Sequence, residues 1–137
     1  MNREEILNMP AGREMDALIA EKVMGWRWVD FQTLSQMLIP PENDKRLSWA
    51  AEWSKEGYPN WLPDYSTNVS AAWETVEKFV SQGYGVHVYR HGDWNDKDGE
   101  RYWQAYMDFS YPKADADTAP LAICRAALLA VMDASSG

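Results

Sequence analysis

The sequence predicts an α+β domain, helices packed on a small antiparallel sheet, and three patterns carry that prediction. Tyr65–Tyr84, YSTNVSAAWETVEKFVSQGY, reads as a capped amphipathic helix ended by glycine and followed at once by a strand. Residues 84–91 and 101–109 alternate apolar and polar side chains on either side of a polar turn, as the arms of an antiparallel hairpin do. From Leu121 to Val131 the apolar residues cover a wide helical face. At 137 residues the chain fits a single domain, 1–137, long enough to bury a core.

The elements follow in order. The first helix is expected to start near Asn2 and restart after Pro10, a residue tolerated in a first turn. Met15, Leu18, Ile19 and Val23 recur on one face, Arg13, Glu14, Asp16, Glu21 and Lys22 lie opposite, and Gly25 is a natural stop. Trp26–Phe31 alternates loosely, as a strand would, and Thr33–Leu38 reads as a short helical turn before Pro40–Pro41. Glu42–Glu56 is rich in helix formers, with Trp49 and Trp53 one turn apart. GYPNWLPDYS, residues 57–66, holds two prolines and a glycine and must be loop.

Ser66 and Thr67 are the expected caps of a helix from about Val69 to Gln82, whose inward stripe is Val69, Trp73, Val76 and Val80. Gly83 ends it. A strand over Tyr84–His91, the turn HGDWNDKDG, and a return strand over Arg101–Phe109 with Trp103, Ala105, Met107 and Phe109 on one face make the hairpin. Tyr111–Asp115 connects to a last helix capped by Asp117 or Thr118, with Pro120 in its first turn. Leu121, Cys124, Leu128 and Val131 share one face of it, widened by Ile123, Ala127 and Leu129, so this helix must be well buried.

Composition removes several functions. A net charge of −8 argues against broad nucleic-acid binding, which needs a basic surface. No apolar run approaches the roughly 20 residues that cross a bilayer, and a single cysteine, Cys124, suits a reducing cytoplasm as a buried structural thiol. His87 and His91 would share a strand face but lie about 13 Å apart, and one cysteine completes no zinc set. Asp93, Asn95, Asp96, Asp98 and Gly99 resemble a calcium loop, yet Lys97 occupies a ligand position and Gln104 stands where the closing glutamate belongs. No nucleophile elbow and no phosphate loop is present, so no cofactor and no enzymatic activity are expected.

The distinctive feature is aromatic: eight Trp and seven Tyr against three Phe, with Trp26, Trp28, Trp49, Trp53 and Trp61 in the irregular middle third. Such side chains dominate binding hot spots, and they also fill cores.

Three blocks carry a further signal: MNREEILNMPAGREMDALIAEKVMGW, YSTNVSAAWETVEKF and ADTAPLAICRAALLAVM. Together they resemble the phage ABA-sandwich domain family, small proteins of phages and prophages of Firmicutes. The likeness spans nearly the whole chain, with an aromatic insert at about 29–63 as its divergent part. It implies a three-layer α/β/α sandwich, a phage origin and residence in the cytoplasm of an infected bacterium. It supplies no active-site residues.

With the phage resemblance, the aromatic middle suggests a non-enzymatic accessory protein that sequesters a small nucleotide immune signal, of the cyclic ADP-ribose or cyclic dinucleotide type, and so counteracts host defence. A homo-oligomer is expected. Ring faces for a base and guanidinium donors for phosphate single out Trp26, Arg27, Trp28, Trp61, Tyr65, Arg90, Arg101 and Trp103 as the ligand-binding set. The rival expectation is a protein–protein interaction module that inhibits a host or phage enzyme through an acidic, Trp-rich face.

Overall fold

The computed structural model describes residues 2–31, 34–42, 52–92, 102–108 and 113–136. The Asn2 side chain accepts the Glu5 N–H at 2.9 Å and so caps α1 (Arg3–Asn8). After Pro10 and Gly12 the chain restarts as α2 (Arg13–Lys22), which buries Met15 and Ile19, with Val23 just beyond its end. Gly25 takes a φ of +82°, and the chain turns out of the helix there. One residue departs from the expected face: Asp16 is buried, because the loop before α3 supplies partners for its carboxylate.

β1 (Arg27–Phe31) and β2 (Leu34–Ile39) pair antiparallel, with Trp28 opposite Leu38 and Val29 opposite Met37. This corrects the helical turn expected at Thr33–Leu38. A six-residue segment is too short to hold a helix alone, whereas β1 offers it a ladder. Leu38 N–H bonds further outward, to the Gly57 carbonyl at 2.9 Å. The helix expected over Glu42–Glu56 is also corrected where it can be seen: Trp53 forms a bridge with Pro59, and its indole N–H donates to the Leu38 carbonyl at 3.0 Å. Trp49 and the other residues of 43–51 lie outside the described residues.

Gly57 is indispensable to this junction. Its φ is +89°, and a Cβ there would stand 2.3 Å from the Gln36 carbonyl oxygen and 2.8 Å from the Trp28 ring. Gly57→Ala is therefore expected to cost about 1–3 kcal/mol or more, since strain at positive φ adds to a clash with backbone. A urea denaturation midpoint equal to that of the parent protein would contradict this.

α3 (Val69–Ser81) is capped by Asn68, whose side chain accepts the Ser70 N–H at 2.9 Å; the expected caps Ser66 and Thr67 do not serve. Its buried arc is Ala72, Thr75, Val76 and Phe79. Of the expected inward stripe only Val76 is inside, while Val69, Trp73 and Val80 are 54%, 50% and 55% exposed. Both arcs are mainly apolar, with Thr75 the polar member of the buried one, and they share Val76, so spacing alone could not choose between them. Ala72 allows close approach to the helix that follows, α4, and that fit selects the arc.

β3 (Val86–His91), β4 (Tyr102–Met107) and β5 (Ala114–Ala116) form an antiparallel sheet in the order β3-β4-β5. The hairpin has the expected pairing, and Ala105 and Met107 point inward. The connector expected at Tyr111–Asp115 instead contributes β5, which pairs Ala116 with Trp103 and Ala114 with Ala105. The hairpin tip, with Asp93–Gly99, lies outside the described residues.

α4 (Ala119–Ser136) starts at Thr118, whose hydroxyl accepts the Leu121 N–H at 3.4 Å. It touches all three strands of this sheet and all three other helices. Its alanine-rich surface explains how: small side chains let neighbours approach on every side. Arg125 ties the layers, donating to the Asp115 carbonyl at 2.7 Å and the Met9 carbonyl at 2.9 Å. Cys124 is fully buried, and burial first, then the Asp16 carboxylate, pushes its thiol pKa far up, leaving an unreactive structural residue. Among the described residues, four helices and two small antiparallel sheets thus make the α+β sandwich that the sequence implies.

Candidate functional site

The expected ligand-binding set is divided by the fold. Trp26 is 3% exposed and packs on Trp61 with ring centroids 5.3 Å apart, and Tyr65 is 0% exposed. Neither Trp26 nor Tyr65 keeps a ring face for a molecule from solvent, so both are corrected to core residues. Arg27 lies between two inward-facing tryptophans on a strand, where alternation turns it to solvent, away from both. Trp28 is half-buried: its indole N–H donates to Glu21 at 3.0 Å and its ring lies 6.1 Å from Tyr58. Arg90 and Trp103 are brought together as cross-strand partners, Arg90 exposed and Trp103 packed against the core. Arg101 lies outside the described residues.

A different set of residues forms a groove of about 720 Å³, lined by Arg13, Glu14, Glu52, Trp53, Glu56 and Tyr58 together with Ser54, Pro59 and Asn60. One wall is the first turn of α2, fixed by a buried polar knot. Asp16 accepts the Ser66 N–H at 2.8 Å and the Ser66 hydroxyl at 2.7 Å, and its other oxygen takes Arg13 Nη1 at 3.1 Å. The Gly12 N–H in turn donates to Ser66 Oγ at 2.9 Å.

The other wall is a tight turn. Ser54 N–H donates to the Tyr58 carbonyl at 2.8 Å, and Gly57 N–H donates to the Ser54 carbonyl at 2.9 Å. This turn sets Trp53 and Tyr58 beside Glu52 and Glu56.

The groove is negative. Among the described residues lining it, Arg13 is the one cation, and it is already ion-paired to Asp16. Burial, then the carboxylates of Glu14 and Glu56, push the Tyr58 phenol pKa up. Glu14, Glu52 and Glu56 were not singled out by sequence reasoning, although EWSKEGYPN does interleave acids with aromatics.

A second surface was also missed. The face of the β3-β4-β5 sheet turned away from α4 carries His87 stacked on Tyr106 at 4.3 Å and His91 stacked on Tyr102 at 4.9 Å. Between them, Gln104 Oε1 accepts from Tyr89 and from His91 Nε2, and Gln104 Nε2 donates to Asp115 at 2.6 Å. The Lys113 ammonium sits 4.9 Å from the Tyr106 ring centre, and His87 bonds Asp108 at 2.8 Å. The signal was the period of two in VHVYRH and YWQAYM. His87 and His91 do share a face, each engaged locally. Among the described residues no three His, Cys, Asp or Glu side chains gather as a metal site would.

The order of elements and the packing around α4 match a known architecture, and the sequence profile of the phage ABA sandwich domain matches residues 17–128. The chain belongs to the phage ABA sandwich domain family. A 2.0 Å crystal structure of a phage protein from Bacillus cereus resembles it with a TM-score of 0.52 and 25% sequence identity, over 92% of this chain and 91% of that one. Among curated proteins none matches the chain. The phage ABA sandwich match thus covers the Ser54–Tyr58 wall of the groove, while Arg13 and Glu14 of the α2 wall precede the matched region. Among the described residues, no helix of this family member is long and apolar enough to cross a membrane.

Proposed function

We propose that this is a non-catalytic phage accessory protein that acts by gripping a protein partner, with a basic segment of that partner seated in the groove between α2 and the Ser54–Tyr58 turn. The observation that carries this reading is the grouping of Glu14, Glu52 and Glu56 around Trp53 and Tyr58, with Arg13 neutralised by Asp16. A lysine or arginine entering there meets carboxylates at the rim and aromatic faces in the wall, and a cation over such a face gains about 0.5–2 kcal/mol. The groove volume is that of a site for a side chain or a short peptide. The net charge of −8 steers a basic partner inward. A phosphate-bearing ligand would meet three carboxylates in the same place.

Capture from nuclease-treated, dialysed host lysate tests the reading. The parent protein is expected to retain one partner stoichiometrically. Glu52→Lys combined with Glu56→Lys should weaken that binding at least about tenfold, equivalent to 1.4 kcal/mol, and added salt should weaken the parent complex too. Equal retention by parent and variant would refute the groove as the binding surface.

A second reading, sequestration of a small nucleotide immune signal that counteracts host defence, is favoured by the His–Tyr stacks and Lys113 on the open sheet face. Such rings can take a base, at about 1–3 kcal/mol per stack. Calorimetric titration with cyclic dinucleotides and cyclic ADP-ribose derivatives separates the two readings: heat that survives the Glu52→Lys, Glu56→Lys double change and disappears in Tyr106→Ala belongs to the nucleotide.

A further inference from the structure

We propose that two copies of the chain join β3 to β3, edge to edge across a two-fold axis, so that the three-stranded sheet becomes six-stranded and the outer stripe of α3 packs on its counterpart. β3 ends the strand order, and among the described residues no strand pairs with its far edge. The direction of its backbone groups follows from the ladder. The Asp108 N–H donates to the Gly85 carbonyl at 2.9 Å, which makes Gly85–Asp108 a hydrogen-bonded pair. By alternation His87, Tyr89 and His91 bond to β4, leaving the N–H and C=O groups of Val86, Val88 and Arg90 directed outward.

An exposed edge of this kind is usually protected by proline, lysine or a bulge. VHVYRH contains neither residue, and its register with β4 is unbroken. The edge is also self-complementary. With Val88 opposite the partner's Val88, Val86 falls opposite the partner's Arg90, and every outward donor meets an outward acceptor.

The helix beside this edge is incomplete in the same sense. α3 contacts β3, and its outer side exposes Val69, Trp73 and Val80, separated by four and seven residues along one stripe. Those three side chains expose an apolar patch on the order of 300 Å², well below the roughly 800 Å² per subunit of a stable interface. A strand edge by itself is equally thin. The contact of α3 with β3 brings the stripe near the strand edge, and Val69, Trp73, Val80, Val86 and Val88 carry no charge, with the exposed Glu77 flanking the stripe between Trp73 and Val80. The same operation sets His87 of one copy beside Tyr89 of the other, so the His–Tyr face of the sheet runs across the dimer axis.

Sedimentation equilibrium on the full chain decides the matter. The parent protein is expected at twice the chain mass at micromolar concentration. Val88→Pro deletes an outward N–H and no bond to β4; Trp73→Glu places a charge in the stripe on the surface of a helix. Each should sediment at the chain mass while keeping the parental circular dichroism spectrum. A parent protein that stays at the chain mass at tenfold higher concentration overturns the proposal, as does a dimer that persists in both variants. Should Val88→Pro not fold, Trp73→Glu decides alone, because the side chain it changes is half in solvent.

Discussion

Asp16→Ala is expected to lose about 1–3 kcal/mol of stability, the range for leaving a buried donor without its acceptor. The carboxylate is 1% exposed and accepts from the Ser66 N–H, the Ser66 hydroxyl and Arg13. Alanine leaves the buried Ser66 N–H without that acceptor, whereas the Ser66 hydroxyl still reaches the Gly12 carbonyl at 3.2 Å and Arg13 is 45% exposed to solvent. Asp16→Asn keeps an acceptor oxygen in place and should retain part of the loss. Because domains of this size hold only about 5–15 kcal/mol in total, such a loss is a sizeable share of the whole. Urea titration followed by tryptophan fluorescence measures it, and a midpoint shift smaller for alanine than for asparagine would contradict the account. The same knot fixes Arg13 and Glu14 at one wall of the groove, so the asparagine variant, if folded, should bind a groove partner more weakly.

Trp26→Ala is expected to cost about 3–5 kcal/mol, the range for deleting a large aromatic from a core. Trp26 is buried against Trp61 at 5.3 Å, and its backbone N–H donates to the Ala20 carbonyl at 2.9 Å, which anchors the exit from α2. The indole can be removed but the space it fills cannot close, since α2 and the 57–66 loop are both pinned by the Asp16–Ser66 bonds. Thermal denaturation checks this. A residue that served a ligand would show the opposite pattern, with the melting temperature kept and binding lost.

Much of the fold was legible where one rule acted without competition. α1 and α2, the β3–β4 hairpin and α4 each follow from spacing, caps and glycine stops along a short stretch of chain. The errors occur where two local solutions were nearly equal. Val69, Trp73 and Val80 make as good an apolar stripe as Ala72, Thr75 and Phe79, and the choice was made by the shape of α4. Residues 34–39 had no strong periodicity, and β1 made them a strand by offering a partner. Asp16 looked like a surface acid because its partner, Ser66, lies fifty positions away.

The candidate site was legible only as composition. Aromatic richness marked the middle third as a binding region, and the groove does include Trp53 and Tyr58 from it. The particular rings chosen on sequence, Trp26 and Tyr65, proved to be core, since burial is a property of the assembled chain. Glu14 and Glu52 meet across the groove only once the 54–58 turn has docked on α2.

By itself the sequence determined the secondary elements whose signals are local, the acidic charge and the sandwich family, because each is written in residues within a few turns of one another. Tertiary structure alone decided which face of α3 is covered, which acid is buried and which aromatics reach solvent. Those outcomes depend on what the distant segments bring to each surface, and a buried hydrogen bond or a well-fitted alanine outweighs any preference the isolated stretch could express.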